Sequence, residues 1–188
     1  RHMSQARHTG KLVLDIPPTL DPNGTILITG GTGTLGALTA EHLTRTHGIR
    51  HLLLLSRQGP NAPGAHQLTQ RLQQLGATVH ITATDTTNLQ QLTHAINTID
   101  PHHPLTGIIH TAGTLNDATL TTQTPQHLTH VWTTKATTAT NLHHATQHLP
   151  LTLFAIYSSA AGTLGSPGQA NYAATNAYCD ALITQRHH

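Results

Sequence analysis

The chain has 188 residues, a formal net charge of +2, only 9% charged residues and 18 histidines, so one domain with a real core is expected, its surface polar through Thr and His. No Lys/Arg cluster could neutralise a run of phosphates, which excludes a nucleic-acid partner. No apolar run nears the ~20 residues of a membrane span and no signal segment is seen, so the chain reads as cytoplasmic with no membrane partner, which the single Cys179 also fits.

In chain order, residues 1–18, "RHMSQARHTGKLVLDIPP", close on Pro17-Pro18, a linker-like break before the first strand. Five short apolar runs follow: "TILITG" (25–30), "HLLLLS" (51–56), "ATVHITA" (77–83), "LTGIIHT" (105–111) and "LTLFAIYS" (151–158). Such runs, rich in Leu, Ile and Val without alternation, are expected as strands buried on both faces. Between them lie polar stretches with helical spacing, such as Leu35, Leu38 and Leu43, or Leu68, Leu72 and Leu75, with Gly48 and Gly76 where helices would stop. This alternation predicts an α/β fold, a Rossmann-like doubly wound parallel sheet with right-handed crossovers. The chain stops inside a helix starting near Gln169, so the sheet is expected to be C-terminally incomplete.

"ILITGGTGTLG" sets Gly30, Gly31, Gly33 and Gly36 between a strand and a helix. Bare backbone there can turn tightly and approach a pyrophosphate at a helix N-terminus. With Thr29, Thr32 and Leu35 of the same turn, these are the candidate cofactor residues. After the second strand the chain offers Ser56 and Arg57 rather than a carboxylate, which favours the 2′-phosphate of NADPH. Asp85 and Thr86 end the third strand, where Asp85 can accept from an adenine amino group. Thr111, Ala112 and Gly113 end the fourth with small residues where a cofactor must lie close.

Reducing a carbonyl needs a proton donor beside its oxygen. A tyrosine serves only if its pKa, ordinarily about 10, falls toward neutral, as a nearby buried ammonium would make it do. Lysine occurs only at 11 and 135, and Lys135 sits in "PQHLTHVWTTKATTATNLHHA", which holds no other charged residue apart from histidines. Asn176 follows Tyr172 by four residues on one helix face. Ser159 stands thirteen residues before Tyr172, across a Gly/Pro loop that can fold it back beside the tyrosine.

This arrangement resembles the short-chain dehydrogenase/reductase superfamily, most of whose members carry Lys where this chain has Asn176. With the lysine moved to the preceding helix, the pattern is that of ketoreductase domains in modular polyketide synthases and animal fatty acid synthases. "GGTGTLG", "SRQG", "HTAG" and "SSAAGTLGSPGQANYAATNA" carry the likeness over residues 24–188. It implies Tyr172 as acid, Ser159 as hydrogen-bond donor to the substrate carbonyl, and Lys135 with Asn176 tuning the tyrosine and supporting a proton relay.

For stereocontrol, the resemblance implies a B-type, non-epimerising domain giving a D-3-hydroxyacyl product. "LND" (115–117) stands where such domains carry Leu-Asp-Asp, keeping Leu115 and Asp117 but departing at Asn116. Leu164 replaces the Trp of A-type domains, Pro167 and Asn171 match the B-type pattern, and Thr175 replaces the Pro of the epimerising subtype. The N-terminal segment resembles the end of an enoylreductase domain, implying neighbouring synthase domains and an acyl carrier protein bearing the 3-ketoacyl chain. On this reading 1–18 is enoylreductase tail plus linker, and 19–188 is the catalytic half of a ketoreductase without its last strands and lid. A catalytically silent scaffold domain and a standalone carbonyl reductase are the alternatives. Paired histidines at 102–103, 143–144 and 187–188 raise metal binding, but adjacent helical residues point ~100° apart, and no metal site is assigned.

Overall fold

The computed structural model describes residues 19–186; the segment read as enoylreductase tail lies outside them. Five strands form one sheet: β1 (Thr25–Thr29), β2 (His51–Ser56), β3 (Thr78–Ala83), β4 (Leu105–His110) and β5 (Leu153–Ile156). Their order is β3-β2-β1-β4-β5 and every pairing is parallel. The predicted doubly wound α/β sheet is therefore present, with β2 as expected and the other strands shorter by one to four residues than the sequence expectation.

Helices α1 (Thr34–His47), α2 (Ala65–Gln74), α3 (Leu89–Asn97), α4 (Pro125–Trp132), α5 (Thr138–Thr146), α6 (Ala161–Leu164) and α7 (Ala170–Arg186) connect or follow the strands. Caps set several starts: the Asn88 side chain accepts from the Gln90 and Gln91 amides at 3.0 and 3.1 Å, and Thr124 accepts from the His127 amide at 3.3 Å.

Alternate side chains of β1 and β2 enter opposite cores, which is why their sequences show no polar alternation. Ile26, Ile28, Leu52 and Leu54 pack with Leu43 of α1 and Leu68 and Leu72 of α2. Leu27, Leu53, Leu55 and Ile108 pack on the other face with Leu92 of α3 and Leu142 of α5. Each such side chain taken fully out of water contributes about 1.5–3 kcal/mol.

Two expectations need correction. β3 and β5 are not buried on both faces: they are the sheet edges among the described residues and stay partly exposed. Leu35 and Leu38 are 51% and 60% exposed rather than on the core face of α1, because the helix turns Gly36, Thr39, Ala40 and Leu43 inward. The helix start must lie close to the strand-end backbone, so small residues take the inner positions.

Candidate active site

A cleft of about 940 Å³ opens over the carboxyl ends of the central strands. It sits where strand order reverses between β1 and β4, the place where open α/β sheets receive ligands. Gly30, Thr32 and Gly33 line it after β1, Ser56 and Arg57 after β2, Asp85 and Thr86 after β3, and Thr111, Ala112 and Gly113 after β4.

The other predicted cofactor residues lie behind that surface. Gly31 packs against Leu54, so that a Cβ added there would stand 2.7 Å from the leucine's own. Gly36 is buried under the Gly30 carbonyl oxygen, which a side chain would strike. The Thr29 hydroxyl turns inward, 2.6 Å from His110 Nδ1, and Leu35 faces outward. Gly30 itself takes a φ of +67°, and a Cβ on it would come within 2.9 Å of the Ala112 nitrogen. The backbone is thus bare where a pyrophosphate would have to approach, and the residues present fit a dinucleotide.

The polar rim is preordered. Asp85 Oδ1 accepts from the Thr87 amide at 3.0 Å and its hydroxyl at 2.7 Å, Ser56 Oγ accepts from the Gly59 amide at 3.0 Å, and Thr111 Oγ1 donates to the Thr29 carbonyl at 2.8 Å. Sequence reading missed Gln58, Thr87, Thr129, His130, Thr133 and Thr134, which also line the cleft. In a chain this rich in Thr and His, none of them stands out.

Beside the cleft floor lies the chemical site. Lys135 is 3% exposed and occupies a π-helical segment, Thr133–Thr137, wedged between α4 and α5. A wide turn inside an α-helix is uncommon and recurs at functional positions. A Cβ added to Gly113 would stand 3.9 Å from Lys135 Cδ, so the lysine stem runs along that floor. Lys135 Nζ donates to Asn176 Oδ1 at 2.5 Å and lies 5.3 Å from the centre of the Tyr172 ring. Burial pushes the ammonium's pKa below its ordinary value, partly offset by Cys179 and Asp180.

Asn176 is fully buried and donates from Nδ2 to the Tyr172 carbonyl at 2.8 Å, one turn back along α7. Lys135, Asn176 and Tyr172 therefore converge. Ser159 Oγ accepts from the Ala161 amide at 3.2 Å, leaving its hydroxyl hydrogen free to donate elsewhere. Among the described residues no hydrogen bond joins Ser159 to Tyr172. Its loop is nonetheless held against α7, because Gly162 sits so close that an added Cβ would meet Ala177 N at 3.1 Å and Asn176 Cβ at 3.2 Å.

Residues 24–188 match the sequence pattern of the KR domain family. The chain belongs to that family, the ketoreductases of modular polyketide synthases. It is 52% identical over 186 residues to polyketide synthase GfsB of Streptomyces halstedii and 47% identical over 188 residues to the pikromycin polyketide synthase component PikAII of Streptomyces venezuelae. Each alignment covers 99% of this chain but only 3% and 5% of those proteins. A solved A-type ketoreductase from a modular polyketide synthase superposes with a TM-score of 0.87 at 40% identity, over 91% of this chain and 36% of that one. Ketoreductases are oxidoreductases that use a nicotinamide cofactor, in keeping with the cleft.

Of the positions expected to steer a ketoreductase's substrate, Asn171 bonds directly to Tyr172. Asn171 is buried; its Nδ2 donates to the Asn116 carbonyl at 2.8 Å and the His127 carbonyl at 3.3 Å, while its Oδ1 accepts from the Tyr172 amide at 2.8 Å. Asp117 Oδ2 accepts from Gln169 Nε2 at 3.0 Å. Leu115 and Leu164 are 57% and 83% exposed, and Pro167 is exposed on the loop before α7. Among the described residues no group of three His, Cys, Asp or Glu could hold a metal ion, and no helix is long and apolar enough to cross a membrane.

Proposed function

We propose that this chain is the catalytic half of an NADPH-dependent 3-ketoacyl-[acyl carrier protein] reductase, giving a D-3-hydroxyacyl product without epimerisation in a cytoplasmic polyketide synthase. The observation that carries the reading is the buried Lys135 ammonium, 2.5 Å from Asn176 Oδ1 and 5.3 Å from the Tyr172 ring centre. Bound NADPH would supply hydride to the carbonyl carbon. Tyr172 gives a proton to the carbonyl oxygen as negative charge develops there, so the ketone ends as an alcohol. The adjacent ammonium favours the tyrosinate left behind, and the Lys135–Asn176 hydrogen bond gives a route for its reprotonation. The hydroxyl of Ser159 is free to donate to the same carbonyl oxygen.

Arg57, on the cleft rim with no carboxylate beside it in "SRQG", supports the choice of NADPH over NADH. The B-type outcome rests on Asp117, Pro167, Asn171 and the absence of Trp at Leu164, and Thr175 speaks against epimerisation. The acyl carrier protein and the neighbouring enoylreductase to which 1–18 would belong follow from the same reading. The test is NADPH oxidation by the intact synthase module with a 3-ketoacyl thioester, read by absorbance and by product configuration. Tyr172→Phe is expected to abolish nearly all turnover; a variant keeping most of it would falsify the role of Tyr172.

A further inference from the structure

The last residue of β4 is a histidine with no surface at all, which the reaction as described leaves unused. His110 Nε2 lies 3.1 Å from the Lys135 carbonyl oxygen, and Nδ1 lies 2.6 Å from the hydroxyl of Thr29 at the end of β1. A carbonyl only accepts, so Nε2 carries the ring hydrogen; Nδ1 is then the acceptor and Thr29 the donor. The partners thus fix one neutral tautomer. The Lys135 carbonyl also accepts from the Thr138 amide, three residues on, where the π-helical segment rejoins α5.

We propose that His110 is a positioning residue for the reduction: by holding the main-chain carbonyl of Lys135 it sets where the lysine's ammonium meets Asn176 and Tyr172. This rests on the reading of Lys135 and Tyr172 given above. A lysine stem has four rotatable bonds and pays entropy to be held, so its root must be fixed if its tip is to be. The wider π-helical turn departs there from the regular i→i+4 ladder of the flanking helices. His110 supplies support from the sheet. The next three residues of the chain, Thr111, Ala112 and Gly113, form the cleft floor. One imidazole thereby joins the lysine to the surface on which the cofactor would lie. Burial pushes the pKa of His110 down to about 4, so the ring stays neutral through the pH range of an assay.

The test uses the intact synthase module, NADPH and a 3-ketoacyl thioester. In His110→Asn the shorter amide can still meet Thr29 but not the Lys135 carbonyl; in His110→Gln the amide nitrogen reaches about as far as Nε2. His110→Phe fills the same space without a donor and keeps the question open to measurement should the Asn variant not fold. The readout is kcat with its pH profile, whose alkaline limb includes loss of the proton of the Lys135 ammonium, which burial makes easier. The titratable and charged groups packed near the lysine are Tyr172, Cys179 and Asp180 from α7 and His110 from β4.

His110→Asn and His110→Phe are expected to lower kcat about tenfold or more and to move the alkaline limb upward as the ammonium draws back, with KM for NADPH changed less than about threefold. His110→Gln is expected to restore both rate and limb. Unmoved limbs in Asn and Phe, or a Gln variant as impaired as they are, would overturn the proposal. Tyr172→Phe run alongside separates the two claims. An inactive Tyr172→Phe with unaltered His110 variants sinks this inference alone, whereas an active one removes the underlying reading and this inference with it.

Discussion

Acid should destabilise this fold most strongly through one residue, and by an amount the structure sets. His110 is buried neutral with its pKa lowered from 6.5 to about 4, chiefly by desolvation. In the unfolded chain the same ring takes a proton near pH 6.5. Between those values the unfolded state binds more protons, so stability falls as pH falls. The loss is negligible above about pH 6.5, grows at about 1.4 kcal/mol per pH unit below it, and amounts to about 3 kcal/mol once pH reaches about 4. Burial also lowers His51 and His143, with the same sign, so the wild-type slope alone does not isolate His110. The measurement is urea unfolding of the chain carried within its complete ketoreductase domain at several pH values between 7 and 4.5, for wild type and for His110→Gln. The wild type should lose stability more steeply over this range, the difference in slope approaching about 1.4 kcal/mol per unit. Parallel slopes would refute the argument, because a ring that never has to stay neutral in the fold costs nothing in acid.

Gly36→Ala should cost about 1–3 kcal/mol of stability in thermal melts and weaken NADPH binding, since its methyl would strike the Gly30 carbonyl and come within 2.7 Å of Gly31 Cα. Arg57→Ala should weaken NADPH about tenfold in titration while leaving NADH nearly unchanged, because the arginine on the cleft rim is the charge that would meet the 2′-phosphate. Asn171→Ala should lower stability by about 1–3 kcal/mol and loosen the 114–118 loop in hydrogen exchange, as the Asn116 and His127 carbonyls and the Tyr172 amide lose their common partner.

The sheet was legible because fully buried parallel strands have a plain signature: "TILIT" and "HLLLL" carry no polar alternation, and both faces of those strands are covered. The same rule misjudged β3 and β5, whose sequences look alike but which lie at the edges; periodicity reports apolar content and not position in a sheet. The lysine was legible through scarcity, since a buried ammonium stands out where almost nothing else is charged. Leu35 and Leu38 misled for the opposite reason. Spacing marked them as a core stripe, yet the close approach of α1 to the strand ends gave the inner face to Gly36 and Ala40.

His110 was the hardest to see, and the difficulty is physical. Among 18 histidines its identity carries no signal, and "HTAG" draws the eye to the small residues that form the cleft floor. What distinguishes it is three-dimensional: a strand end, a second strand's hydroxyl and a π-helical carbonyl meeting at one ring. Asn171 is a second case, one amide joining a loop, α4 and the amide of Tyr172. The two are complementary. His110 ties the lysine to the sheet, and Asn171 ties the tyrosine to the loop that carries Asp117. Lys135 and Tyr172 stand on different helices, thirty-seven residues apart in sequence, so neither helix alone can fix their separation. It is fixed by what each is braced against. A ring or an amide that joins three segments does that at a single position, where a long charged side chain, left to itself, would choose water.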